Sequence, residues 1–317
     1  MTTNISAYAG SSMPPSLIAY YRRVMDTHKA TQGTYGNWRS NLIYLSAYVR
    51  ATCGADDILL TDLTKEWVEG YRSQLSSPHQ PRNAESDEAP AICLSRNTIA
   101  AYFGKLRACL RRAYRDGLTE RNLAEQVEAV TMDETERSYL TLAELQHMTT
   151  ADCRLPGVKR AFLFSCLTGL RRCDVERLTW EQIAEEAGFT RIKFRQKKTR
   201  GLEYLDISPQ AARLLGPRAK SEDHVFADFH YSSHALKRLR EWAESAAVVK
   251  HITYHTSRHT FAVLLLSTGS DLYTVQRLLG HRSIETTQIY AHIFDSQKRE
   301  AVMRLPKLFS DAEKAKI

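Results

Sequence analysis

The sequence predicts a mainly α protein of two domains: an N-terminal helical bundle, then a mixed, mostly helical domain with a small antiparallel sheet. Three observations predict it. The chain has 317 residues, more than one domain usually holds and enough for two separate cores. Apolar residues recur at helical spacing over most of its length. Only in RIKFRQ and LEYLDIS, on either side of KKTRG at 197–201, does the spacing change to the alternation of strands.

The helices follow in order. Leu17, Ile18, Tyr21, Val24 and Met25 mark a first amphipathic face, and Trp38, Leu42, Leu45 and Val49 a second. A third segment from Thr61 to about Leu75 carries Leu63, Trp67, Val68 and Tyr71, and the pattern then stops in the proline-containing, acidic loop SSPHQPRNAESDEAP. Ser95 suits the N-cap of a long helix whose apolar face is Ile99, Tyr102, Phe103, Leu106, Leu110, Ala113 and Tyr114, ended by Gly117. Its other face carries Arg96, Lys105, Arg107, Arg111, Arg112 and Arg115, a charge pattern that suits DNA backbone.

TMDETER, residues 131–137, is polar and without apolar periodicity. The expected division is therefore a helical domain over 1–130, a linker at 131–138 and a second domain over 139–317. The second domain opens on a helix with Thr141 as N-cap and Glu144 at the capping-box position.

Composition narrows the function. The formal charge is +8, which favours a polyanionic partner because neutralising phosphates releases counterions. No apolar run approaches the roughly 18 residues of a membrane span, and the N-terminus has no secretory pattern, so the cytoplasm is expected. Cys53, Cys93, Cys109, Cys153, Cys166 and Cys173 show no CxxC spacing and read as reduced packing residues.

Chemistry concentrates in three motifs of the second domain. TGLRRCDVERLTW (168–180) puts Gly169 just before Arg171 and presents that arginine at a helix start. KKTRG puts Lys197 and Lys198 on a hairpin turn. HTSRHTFAVLLLSTGSDLYTVQRLLGHRSIETTQIYAHI (255–293) gathers His255, Arg258, His281 and Tyr290 around two apolar helices. Two permanently charged forks, two histidines able to move protons, a lysine and a hydroxyl nucleophile together suit a phosphate ester. His255 and His259 stand at i and i+4, as metal pairs do, but the Glu of an HExxH site is absent and Arg258 between them would repel a cation. No metal site is expected, and His259, His292 and Lys193 are assigned to packing or support.

These motifs closely resemble the tyrosine recombinase (phage integrase) family over about Tyr139 to Leu305, in TGLR followed by an acid, HTSRHTFA, and LLGHRSIETTQIYAHI. LSRNTIAAYFGKLRACLRRAYRDGL resembles the family's helical, SAM-like core-binding domain less strongly. The chain resembles the compact two-domain Xer-like or invertase-like members, without a separate arm-binding domain, and has Asn122-Leu123 where many relatives have Asn-Pro. The resemblance implies that Arg171 and Arg258 clamp the phosphate, that His255 and His281 contact it, and that Tyr290 is the nucleophile. Lys198 would be the hairpin lysine, since the lysine before Thr199 fits the pattern better than Lys197. Asp174 would support the site by orienting an arginine or histidine.

The resemblance also implies a 3′-phosphotyrosyl intermediate and a free 5′-hydroxyl, with no cofactor. His255 is the best candidate to accept the tyrosine proton, with water or His281 able to share the role, and Lys198 would protonate the leaving oxygen. The implied partner is double-stranded DNA carrying specific recombination sites. Four protomers would assemble on two sites, a tail anchored by Leu305, Leu308 and Phe309 would dock on a neighbour or in cis, and accessory DNA-bending proteins are possible partners. The implied setting is the prokaryotic nucleoid. A type IB topoisomerase-like relaxation activity and a catalytically silent DNA-binding regulator are the competing readings.

Overall fold

A computed structural model describes residues 15–29, 32–79, 91, 93–133, 137–195, 202–290, 302–303 and 305–306. The chain divides into two compact units, Met1–Thr135 and Glu136–Ile317.

The first unit is helical. Helices α1 (Leu17–Asp26), α2 (Gln32–Cys53), α3 (Lys65–Ser76), α4 (Arg96–Arg115) and the short α5 (Leu123–Gln126) surround one apolar core. Leu17, Ile18, Tyr21, Val24 and Met25 are all buried, as their spacing predicts. The α1 N-terminus is capped from a distance: Asp57 accepts from the Ser16 hydroxyl at 2.6 Å and from the Ile18 N–H at 2.7 Å. Inside, buried Asn41 donates to the Tyr21 hydroxyl at 2.9 Å and accepts from that of Tyr71 at 2.6 Å, so its polar ends are satisfied within the core.

Two local expectations are corrected. The third helix starts at Lys65 and not near Thr61, because the Thr64 hydroxyl caps the Trp67 N–H at 3.2 Å; Leu60–Asp62 forms a separate 3-10 turn. In α4 the buried stripe runs through Ile99, Phe103, Leu106, Cys109, Leu110 and Ala113. It is centred toward Cys109, so Tyr114 falls off its other edge in the last turn and is 43% exposed.

The second unit begins at α6 (Leu142–Thr150), where Thr141 and Glu144 form the expected capping box. Helices α7 (Pro156–Thr168) and α8 (Arg172–Val175) follow, then strands β1 (Ile183–Glu186), β2 (Phe189–Arg195) and β3 (Leu202–Ile207). The sheet is antiparallel in the order β1-β2-β3. The sequence predicts only the β2–β3 pair. β1 is too short to show alternation, and its place comes from pairing: Ile183 stands opposite Ile192, which stands opposite Leu205, and all three are buried. Ala187 and Gly188, both at positive φ, turn the β1–β2 hairpin.

Helices α9 (Pro209–Arg213), α10 (Ser233–Ser245), α11 (Tyr254–Ser267), α12 (Leu272–Leu279) and α13 (Glu285–Gln288) complete the unit. α11 is central: ten of its residues are buried, the pattern of a helix covered on most sides. Small polar residues let it lie close to α7, where the buried Ser257 hydroxyl donates to that of Ser165 at 2.7 Å. On its far side Phe261, Ala262, Val263 and Leu266 form a smaller apolar cluster with Val275 and Leu279 of α12, and Tyr290 fills it. No helix among the described residues is long and apolar enough to cross a membrane, and the six cysteines are free.

Candidate active site

The site is built around the corner between α7 and α8. Gly169 ends α7 in the left-handed region at φ 67. A Cβ there would lie 2.4 Å from Phe261 and 3.0 Å from Leu279. Only glycine satisfies both the backbone and the approach of α11 and α12. Leu170 then buries itself, and Arg171 takes the N-cap position of α8, half-buried.

Arg258 ties this corner to the end of α12. Its Nη1 donates to the Gly169 carbonyl and its Nη2 to the Leu279 carbonyl, both at 2.5 Å, and the residue is 4% exposed. Burial first, then the neighbouring Arg171, pull its pKa down to about 9. It therefore stays charged at neutral pH. Asp174, buried on α8, acts on Arg258 in the opposite sense.

The α12 end carries the next group. Gly280 is again left-handed, at φ 59, and turns the chain so that His281 leaves the helix axis. The His281 ring is oriented by its Nδ1 contact with Thr287 Oγ1 at 2.9 Å, and its carbonyl accepts from the Gln276 side chain at 3.1 Å.

Tyr290 follows α13 and is 2% exposed. Its hydroxyl lies 2.5 Å from His259 Nδ1. Burial raises the phenol to about 12, while Arg258 and Arg137 pull the other way. His259 is pushed down to about 3, by burial first and then by His255, Arg137, Arg258 and His281. Those mutual influences put Arg171, Arg258, His255, His259, His281 and Tyr290 in one neighbourhood. His255, exposed in the first turn of α11, reaches it through its ring, 4.7 Å from that of His259.

Two members were not singled out by sequence reasoning. His259 was assigned to packing or support, and its i+4 spacing from His255 was weighed only as a metal pair. Arg137 was placed in the linker; the described chain resumes there, and its charge acts on both His259 and Tyr290. No signal in TMDETER marks it. Lys197 and Lys198 lie outside the described residues; β2 and β3 are paired up to Arg195↔Leu202. His292 and the tail residues Leu308 and Phe309 also lie outside. Among the described residues no group of three His, Cys, Asp or Glu could hold a metal ion.

The basic face of α4 divides. Arg107 is engaged within its unit, donating through Nε and Nη2 to the Ala124 carbonyl at 3.0 and 2.8 Å. Arg96 donates to the Thr131 carbonyl at 2.9 Å and pairs with Asp133 at 3.5 Å. Arg112 stands 3.9 Å from Asp116, and the Lys105 ammonium sits 5.6 Å from the Trp38 ring centre. Arg111 is exposed.

Comparison with known proteins bears on this arrangement. The sequence model of the phage integrase family matches residues 138–297, a stretch that holds Arg171, Asp174, His255, Arg258, His259, His281 and Tyr290. The chain belongs to the phage integrase family. The model of the phage integrase SAM-like domain matches residues 16–129 of this tyrosine recombinase. The tyrosine recombinase XerD of Halalkalibacterium halodurans is 35% identical over 144 residues, 42% of this chain and 48% of that protein. The XerD of Listeria innocua is 29% identical over 220 residues, 63% of this chain and 72% of that protein. Among solved structures, a lambda integrase dimer bound to a COC′ core site superposes with a TM-score of 0.62 at 17% identity, covering 94% of this chain and all of the other. The fold is thus that of a tyrosine recombinase with its SAM-like N-terminal domain.

Proposed function

We propose that this recombinase cuts and rejoins duplex DNA at specific sites through a covalent bond to Tyr290. The observation that carries the reading is the burial of Arg258 beside Tyr290, anchored to the carbonyls that precede Arg171 and His281 by two residues. One guanidinium thereby sets the spacing of the groups that would surround a phosphate. Arg171 and Arg258 are fixed positive charges suited to the charge that grows on the phosphorane oxygens, and His255 and His281 add hydrogen-bond donors.

In the reaction the Tyr290 oxygen bonds to phosphorus as the bond to the 5′-oxygen breaks. The products are a 3′-phosphotyrosine and a 5′-hydroxyl, whose oxygen takes its proton from Lys198. Rejoining is the reverse step with the 5′-end of another strand. One phosphate ester replaces another, so no ATP is consumed. On the charged face of the first unit the exposed Arg111 supplies a backbone contact, while Arg107 is held within its own unit. Four copies act together on two sites, with tails docked between neighbours and accessory DNA-bending proteins setting the direction. The working place is the cytoplasm, at the nucleoid.

A strand-exchange assay on paired sites, run beside relaxation of a supercoiled plasmid, tests the reading. Exchange products dependent on a second site are expected. Relaxation of a plasmid without sites would indicate a topoisomerase, and binding without cleavage a regulator.

A further inference from the structure

We propose that His259 takes the phenolic proton of Tyr290 as that oxygen attacks phosphorus. The proposal rests on Tyr290 being the nucleophile and replaces His255 in the role that sequence reasoning gave it.

The geometry points to His259 directly. Its Nδ1 lies 2.5 Å from the Tyr290 oxygen, in a contact buried from solvent, with the two rings 5.7 Å apart and tilted by 58°. A general base must lie within hydrogen-bond reach of the proton it removes. His255 is exposed one helical turn earlier, edge-on to the His259 ring.

The charges around the pair fit the task. With its pKa raised by burial, the phenol keeps its proton and donates it; His259, held neutral, has a lone pair to accept it. Burial above all holds His259 neutral, followed by His255 on α11, Arg137 ahead of α6, Arg258 on α11 and His281 beyond α12. A phosphodiester bound beside Arg258 and Arg137 brings in a negative charge that offsets theirs, so His259 gains basicity when substrate arrives. Without DNA the nucleophile stays protonated and inert. On attack the O–H bond of Tyr290 breaks, its oxygen bonds to phosphorus, the proton passes to Nδ1, and the bond to the 5′-oxygen breaks with its electrons leaving on that oxygen.

The test uses a suicide DNA substrate with sulfur at the 5′-bridging position. The departing thiolate has a conjugate acid with pKa of about 8.5 and needs no proton. The rate of adduct formation then reports activation of the nucleophile. In single-turnover reactions, His259→Asn keeps a hydrogen-bond acceptor but cannot take the proton. It should fall by roughly 100-fold to 10,000-fold, as should His259→Ala, and both rates should climb with pH where wild type levels off. A fluorinated tyrosine at position 290, a more acidic phenol, should recover much of the loss in both variants. His255→Ala should show no such recovery.

DNA affinity is measured in parallel; if His259→Ala no longer binds, His259→Asn carries the test. A wild-type rate for His259→Asn would reduce His259 to an acceptor that only positions the phenol and overturn the proposal. So would recovery by the acidic phenol in His255→Ala and not in the His259 variants. An adduct formed by Tyr290→Phe would instead sink the assignment of the nucleophile, a result separate from either.

Discussion

Arg258 does two jobs with one side chain: it bonds the carbonyls of Gly169 and Leu279, and it holds a positive charge beside Tyr290. Its neighbour His259 has a consequence for stability. The folded-state pKa lies below the ordinary value of 6.5, at about 3. Above pH 6.5 the group is neutral in both states. Below it the unfolded chain takes up a proton that the folded chain does not, so stability falls as pH drops from about 6.5 toward 3, with a slope of about 1.4 kcal/mol per pH unit for this one group. Denaturant unfolding of wild type and His259→Asn at pH 7 and pH 5 should show a smaller acid loss in the variant. Equal losses would mean that His259 is already protonated when folded. Single residues were also where the sequence was most and least legible. Motif signals marked Arg171, Arg258, His281 and Tyr290, which the tertiary fold gathers in one neighbourhood. His259 and Arg137 gave no such signal, since their importance lies in what the tertiary fold brings to them.

Among the elements, α4 was read well as a helix and less well as a surface. Periodicity shows which stripe is apolar, but it cannot show which arginines the domain uses for itself. Arg107 holds the Ala124 carbonyl at the start of α5 with two bonds, whereas Arg111 faces solvent. The two should separate cleanly. Arg107→Ala should cost about 1.5–3 kcal/mol, the usual worth of a hydrogen bond to a charged group, seen as a lower unfolding midpoint. Arg111→Glu should leave the midpoint unchanged but lower the log–log salt slope of DNA binding by about 0.9 for a lost phosphate contact. An unchanged slope would turn that face away from DNA. β1 was missed for a related reason: a four-residue strand has too little alternation to read, and Ile192 opposite Ile183 is what holds it in the sheet.

For the whole molecule, two cores follow from length and periodicity, and among the described residues each unit has its own main core, the second with a smaller cluster beside it. The net charge of +8 agrees with a polyanionic partner without naming one, and the motifs of the second unit supply the chemistry. The account turns on one covalent bond. Protein trapped on a nicked suicide substrate, digested and analysed by mass spectrometry, measures it directly. The account predicts a 3′-phosphodeoxynucleotide on the peptide bearing Tyr290, with Tyr290→Phe binding DNA normally and trapping nothing. A DNA-linked peptide without Tyr290, or undiminished trapping by Tyr290→Phe, would contradict it.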